Sequence, residues 1–236
     1  MRKAVIIIQA RMRSIRLPGK VLMPIGPKPI LQHVIERCRE SNANEVVVAT
    51  TEHSADSSIV AMCHKMGTLC YRGSEEDVLS RYVETAKIVE ADAVIRITAD
   101  CPLMDPDVIN AAIEKLNQMP FLDYVSNTIR RTFPRGLDVE LMWVDVLNRI
   151  GRMSLKAKEK EHVTWLTRSR PDLFERYSLE DIENNSDLRW TVDTATDLLA
   201  VRAVYDCGSI SLRDRVIYAR SHPFCTVNSN VEQKDA

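Results

Sequence analysis

The stretch QARMRSIRLPGKVL, residues 9–22, sets Arg11, Arg13, Arg16 and Lys20 around one Pro-Gly turn, directly after the apolar run AVIII. Guanidinium forks and an ammonium point charge are the donors that a polyphosphate takes, and Gly19 lets backbone approach it closely. A solvated basic loop is the plainer alternative. The stretch holds neither GxxxxGK[ST] nor GxGxxG, which excludes a Walker A loop and a dinucleotide fingerprint. A second stretch, TADCPLMD, places Asp100 at the end of the apolar run AVIRIT, with Pro102 fixing the turn behind it. A hard cation such as Mg²⁺ takes one or two carboxylates together with phosphate oxygens. Asp100 could instead cap the helix that starts near Pro106, but Asp105 stands closer to that start. In LRWTVDTATDLLAV, Thr194 is available as the helix cap, which leaves Asp193 to join Asp100 at a metal. A basic loop with paired carboxylates is the equipment of metal-assisted phosphoryl or nucleotidyl transfer.

These residues need a frame, and the chain supplies one in repeating order. AVIII (4–8), EVVVATT (45–51) and AVIRIT (93–98) are short β-branched runs of the kind that parallel sheets bury on both faces. Between them lie the helical patterns ILQHVIERCRE (30–40), SSIVAMCHKM (57–66), stopped by Gly67, and EDVLSRYVETAKIVE (76–90). Alternation of strand and helix predicts a doubly wound α/β sheet whose ligands sit beyond the carboxyl ends of its strands. After Pro102 the pattern gives a helix PDVINAAIEKLNQ, strands in DYVSN and DVELM, and a long helix KEKEHVTWLTRS. LRWTVD then reads as a strand that enters the amphipathic helix TATDLLAVRAVYD. Trp143, Trp165 and Trp190, each among apolar neighbours, are expected to pack. No repeat or linker divides the chain, so residues 1–225 read as one domain and 226–236 as a polar tail that frays.

Composition bounds the partners. The 236 residues carry 32 Lys plus Arg against 33 Asp plus Glu, a net charge of −1, which excludes a global field for nucleic acid or an acidic membrane. No segment approaches the roughly 20 apolar residues of a membrane span. The apolar run of MRKAVIIIQA is too short for a secretory signal core. The six cysteines form no CxxC and no zinc spacing, and read as reduced, mostly buried thiols of a cytoplasmic protein.

QARMRSIRLPGKVL, RGSEEDVLSRY, RITADCPLMDP, SNTIRRTFPRGLDVEL, KEHVT and LRWTVDTATDLLAVR together resemble the successive motifs of the SpsF-type spore coat polysaccharide cytidylyltransferases, and more distantly the CMP-KDO and CMP-sialate (acylneuraminate) synthetases. The resemblance spans about residues 4–205. It implies a GT-A-like, Rossmann-like three-layer α/β sandwich of the nucleotide-diphospho-sugar transferase kind, with a mostly parallel sheet and a single nucleotidyltransferase domain over 1–225. It implies a Mg²⁺-dependent transfer of CMP from CTP to a sugar acid or related acceptor, with release of pyrophosphate, for surface polysaccharide or glycoconjugate synthesis. Carried over by position, Arg11 and Lys20 hold the triphosphate with Arg16 and the Ala10 backbone beside them, so that Lys20, Arg11 and Asp100 carry catalysis. Asp100 and Asp193 hold the metal, and Arg72, Ser74 and Glu75 lie at the nucleotide rim. At the acceptor end, RRTFPRGLDVE offers Arg131, beside Arg130 and Arg135, for a carboxylate. Asp138 and Glu140 stand two apart on a strand, either facing the acceptor or forming local salt bridges, and His162 of KEHVT joins them. Relatives of this kind pair, so a homodimer using the apolar helix 194–205 is expected.

Three positions depart from the usual motifs. Arg13 and Ile15 stand where the family has glycine and threonine, so Arg13 either adds a cation or obstructs the cradle. Ala99 replaces the glycine of TGDCP, which demands an ordinary backbone conformation there. Two other readings remain open: a GT-A glycosyltransferase, although Asp100 and Asp105 are too far apart for a DxD pair, and a nucleotide-binding scaffold without activity.

Overall fold

β1 (Ala4–Gln9) is buried along its first five residues because it lies between two parallel partners, β4 (Glu45–Thr51) and β6 (Ala93–Thr98). Ile6 pairs with Val46 on one side and with Ile95 on the other, so β-branched side chains meet across both ladders. This computed structural model describes residues 2–153, 160–208 and 211–232. The seven-stranded sheet runs β5-β4-β1-β6-β8-β7-β9, with β5 at Leu69–Gly73, β7 at Tyr124–Ser126, β8 at Glu140–Trp143 and β9 at Arg176–Ser178. β8 is antiparallel to both neighbours, and the other pairings are parallel. A two-residue hairpin, β2 (Pro24–Ile25) with β3 (Lys28–Pro29), follows the basic loop.

The flanking helices begin and end where local chemistry dictates. α1 (Ile30–Arg39) starts after Pro29, and α2 (Ser57–Lys65) stops before Gly67, whose φ of 58° only glycine takes readily. The Asp77 carboxylate accepts from Ser80 N to cap α3 (Val78–Ile88). Asp105 caps α4 (Pro106–Gln118) by accepting from Asp107 N, with Pro106 at the first helical position, so Asp100 is spared that role. Thr194 and Asp197 form a reciprocal capping box on α7 (Ala195–Tyr205). α5 (Val144–Gly151), α6 (Trp165–Ser169) and α8 (Leu212–Ser221) lie along the rest of the chain. α1 packs on α4, and α3 packs on α5.

The alternating core follows the sequence expectation, and four later elements differ from it. LRWTVD is no ladder strand: it touches the sheet region through one bridge, Arg135 to Arg189, and its Val192 N donates to Asp100 O at 2.9 Å. β8 begins at Glu140, which leaves Asp138 in the loop before it. Of KEKEHVTWLTRS, residues 158–159 lie outside the described residues, and the chain turns at 162–164 before α6. Of the stretch expected to fray from residue 226, the described part up to residue 232 is anchored at Asn228, only 1% exposed, and residues 233–236 lie outside the described residues. Trp143 and Trp190 are buried and Trp165 packs on the core. Four of the six cysteines, Cys38, Cys63, Cys101 and Cys225, are buried. α7 buries Leu198, Ala200, Val201 and Val204 and exposes Leu199, so most of its apolar face belongs to the core. Among the described residues no helix is long and apolar enough to cross a membrane.

Candidate functional site

Sheet register brings the loops after β1 and β6 side by side: Gln9 lies opposite Thr98, and Ala99 N donates to Gln9 O at 3.0 Å. The basic loop is held in a fixed path. Gly19, at φ 73°, closes it by donating its N–H to Met12 O at 2.7 Å. Met12 N in turn donates to the buried carboxylate of Asp56 at 2.7 Å, which also accepts from Thr50 and Thr51. The loop therefore arrives at Lys20 prearranged.

Lys20, only 7% exposed, donates through Nζ to Asp100 Oδ2 at 2.6 Å and to Asp193 Oδ1 at 2.8 Å. Arg16 reaches Asp193 Oδ2 at 2.9 Å, and Arg189 reaches the same oxygen at 2.8 Å. Arg189 also pairs with the fully buried Asp197 at 2.8 Å. Three cations and three carboxylates thus balance in one network. Burial works against the charge of Lys20, but Asp100 and Asp193 outweigh it and hold its pKa above the ordinary lysine value. Burial likewise raises the Asp100 carboxyl, but the charge and hydrogen bond of Lys20 outweigh it and hold it down at about 2.

Of these groups Arg16, Lys20, Asp100 and Asp193 line a cavity of about 390 Å³, within the size range of small-molecule sites, and Arg189 and Asp197 stand behind them. Ala10, Arg11, Arg16, Lys20, Asp100, Asp138, Glu140, His162 and Asp193 line it. Arg72, Ser74, Glu75 and Arg131 do not. Arg72 donates to the carbonyls of Thr51, Glu52 and His53 and so braces the turn after β4. Ser74 holds the start of α3 by accepting from Asp77 N. Glu75 pairs with Arg13 at 3.0 Å, so the guanidinium at the usual glycine position is drawn away from the cradle. Ile15 projects at the cavity mouth, 84% exposed. Ala99 sits buried beside Asp100 without a positive φ.

Two further acids of the lining, Asp138 and Glu140, are engaged internally. Arg131 makes a two-pronged pair with Asp138 and stands behind it. Glu140, 3% exposed, accepts from Arg96, from Tyr124 Oη at 2.7 Å and from Thr164 Oγ1 at 2.5 Å. Burial alone would raise its pKa, but Arg96 and Arg168 with those hydroxyls hold it at about 2. Arg189, Arg96 and Arg81 are contacts that the motif pattern of the sequence leaves without a role. The signal for Arg189 was its spacing, since 189, 191 and 193 share one face of an extended segment. For Arg96 it was an arginine inside the apolar run of β6. Arg81, 3% exposed, lines the cavity and donates to Ser74 O at 2.9 Å, while its Nε has no hydrogen-bond partner among the described residues.

A family model described as Cytidylyltransferase matches residues 5–195. The chain belongs to the cytidylyltransferase family. It is accordingly a nucleotidyltransferase, and the expected α/β fold and family stand. The spore coat polysaccharide biosynthesis protein SpsF of Bacillus subtilis is 35% identical over 208 residues, 84% of this chain and 85% of its own. A solved cytidylyltransferase from Leptospira borgpetersenii superposes over 100% of both chains with TM-score 0.92 and 29% identity. A CMP:2-keto-3-deoxy-manno-octonic acid synthetase solved with CTP shares the fold, with TM-score 0.68 and 24% identity over 88% of this chain and 100% of that one.

Two expectations for the cytidylyltransferase arise here. Gly136 has φ 102°, and a Cβ built on it would lie 2.5 Å from Trp190 C and 2.7 Å from Thr191 N. Both are backbone atoms of the segment that carries Asp193. Gly136→Ala is therefore expected to destabilise the protein by more than about 2 kcal/mol, read from urea midpoints, and to displace that segment. The second concerns pH. A carboxyl lowered by folding stabilises the native state above its unfolded pKa of about 4 and loses that contribution as pH falls towards its folded value. With Asp100 and Glu140 both at about 2, stability should be steady above about pH 5 and fall between pH 5 and 2. Asp100→Asn should flatten part of that fall in urea titrations made across the range.

Proposed function

We propose that this cytidylyltransferase moves the cytidylyl group of CTP onto a hydroxyl of a sugar acid, of the nonulosonic or 3-deoxy sugar-acid type, in a Mg²⁺-dependent reaction that releases pyrophosphate. The observation that carries the reading is Lys20 held between Asp100 and Asp193 in the wall of the cavity. The SpsF relative and the CTP-bound synthetase of the same fold support CTP and a polysaccharide-precursor acceptor.

Two hard carboxylates already accommodate one point cation, the ammonium of Lys20, at 2.6 and 2.8 Å, so their chemistry fits a small divalent cation. Among the described residues no third His, Cys, Asp or Glu converges on them, which leaves the remaining coordination to phosphate oxygens and water, as Mg²⁺ prefers. Asp100 and Asp193 would hold it, and bound there it supplies charge neutralisation and activation of the acceptor hydroxyl. The protein's own groups do the rest. Lys20, Arg11 and Arg16 draw the triphosphate into line and offset the charge that builds on it. The acceptor oxygen bonds to the α-phosphorus as the bond to the bridging oxygen of the β-phosphate breaks. Pyrophosphate leaves with that electron pair, and the hydroxyl proton passes to water. Asp138, Arg135 and His162 face the acceptor across the cavity, with Arg131 steadying Asp138. Glu140 acts from beneath by fixing Arg96.

Pyrophosphate release, measured with each nucleoside triphosphate and a panel of 3-deoxy and nonulosonic sugar acids, tests the proposal. The expected result is release that needs CTP, Mg²⁺ and one of these acceptors together. Equal release with UTP or ATP, or release indifferent to every acceptor in the panel, would count against it.

A further inference from the structure

Asn228 lies beyond the residues that the family model matches, in the stretch whose composition predicts fraying, yet it is buried beside the site. Its side-chain amide donates both of its hydrogens: one to Asp197 Oδ1 at 2.9 Å and one to the Arg189 carbonyl at 2.9 Å. Both partners are acceptors, so only the amide nitrogen can face them. Asp197 also takes Arg189 Nε at 2.8 Å and the backbone N–H groups of Asp193 at 3.0 Å and Thr194 at 2.9 Å. Arg189 Nη2 then holds Asp193 Oδ2 at 2.8 Å, which leaves Asp193 Oδ1 turned to Lys20. An unbroken line of hydrogen bonds therefore runs from the C-terminal segment to the two carboxylates.

We infer that Asn228 is a positioning residue: through Asp197 and Arg189 it fixes the orientation of the Asp193 carboxylate, which makes the C-terminal segment part of the active site. The inference rests on the reading of Asp193 as a metal-bearing carboxylate. The torsion that turns an aspartate carboxylate is broad, so its own rotamer does not settle which oxygen faces the cation. Arg189 and Arg16 both hold Oδ2, and of the two Arg189 is the buried one, itself oriented by its contact with Asp197. A neutral amide suits the far end of this line because three cations and three carboxylates already balance, and a further charge would upset them. Groups that orient a metal's carboxylate change metal affinity about 10–100-fold when removed.

The test uses the full chain with Asn228→Ala, Asn228→Asp, which keeps the shape but replaces the donor by an acceptor, and Cys225→Ala, which removes a buried thiol from the same segment. Affinity for Mn²⁺ with CTP is read by the electron spin resonance signal of free Mn²⁺, alongside melting temperature, kcat and KM. Both Asn228 variants are expected to bind Mn²⁺ with CTP at least tenfold more weakly and to lose tenfold or more in kcat, with acceptor KM changed less than twofold. Cys225→Ala should lower the melting temperature and leave Mn²⁺ affinity and kcat in place. If either folded Asn228 variant matches the wild type in Mn²⁺ affinity and kcat, whatever its melting temperature, the inference fails. If the wild type itself does not bind Mn²⁺ with CTP, the metal reading of Asp193 fails first and takes this inference with it.

Discussion

Replacing Asp100 by asparagine should lower kcat on the order of 10³-fold while the protein stays folded, a loss of about 4 kcal/mol in transition-state stabilisation. The carboxylate follows β6, and its backbone carbonyl accepts from Val192 N at 2.9 Å, an interaction that the substitution leaves alone. Asparagine keeps the shape of the side chain and removes one negative charge. Lys20 retains Asp193 at 2.8 Å, so its buried ammonium is not left uncompensated. The melting temperature is therefore expected to fall by no more than roughly 5–10 °C, the loss of the contribution that the lowered Asp100 carboxyl makes at neutral pH. Steady-state pyrophosphate release and a thermal melt on the same preparation separate the two effects. A melting temperature that collapses with activity would make Asp100 a folding residue.

Glu140→Ala should do the reverse and destabilise the protein by about 3–5 kcal/mol, because removing one partner of a buried ion pair strands the other. It would leave Arg96 without its carboxylate and Tyr124 Oη and Thr164 Oγ1 without their acceptor. That is a large part of the 5–15 kcal/mol typical of a native domain, and it predicts a fall in melting temperature of roughly 6–20 °C. A double substitution, Glu140→Leu with Arg96→Met, removes both charges and should recover much of the loss, so the two sites are coupled in a double-mutant cycle. Purely additive losses would show that Glu140 and Arg96 act apart, and would return Glu140 to the acceptor as a separate contact.

What the sequence made legible follows from how locally each feature is encoded. The β-branched runs of β1, β4 and β6 sit at the sheet centre, where burial on both faces leaves a continuous apolar signal. α4 was readable to its boundaries because Asp105 and Pro106 announce its start. By contrast, β9 is the three-residue edge segment Arg176–Ser178, too short and polar to show a period, and α8, LRDRVIYARS, is mostly basic and polar on its surface. The meeting of the Lys20 loop with Asp100 was legible from strand ends, since parallel topology delivers those ends to one crevice, whereas Asp193 follows an extended segment outside the sheet and its place there was carried by the motif resemblance. The partnerships of Arg131, Arg72 and Glu75 were not legible, because an exposed-looking charge in a motif gives no sign of whether a backbone carbonyl or a carboxylate already occupies it. Asn228 was hidden for a related reason: a polar tail and a buried polar strap have the same composition.

The central claim is that the basic loop and its two aspartates hold CTP with a divalent cation, and thermal stabilisation by nucleotides tests it most directly. A ligand that binds only the native state at about 100 times its Kd adds about 2.7 kcal/mol of stability, or roughly 5–10 °C for a chain of this size. With Mg²⁺ present, CTP should raise the melting temperature by that much and ATP, GTP and UTP by far less, and Lys20→Met should abolish the CTP shift. A shift that is absent with CTP, equal for all four nucleotides, or intact without Lys20 would contradict the account.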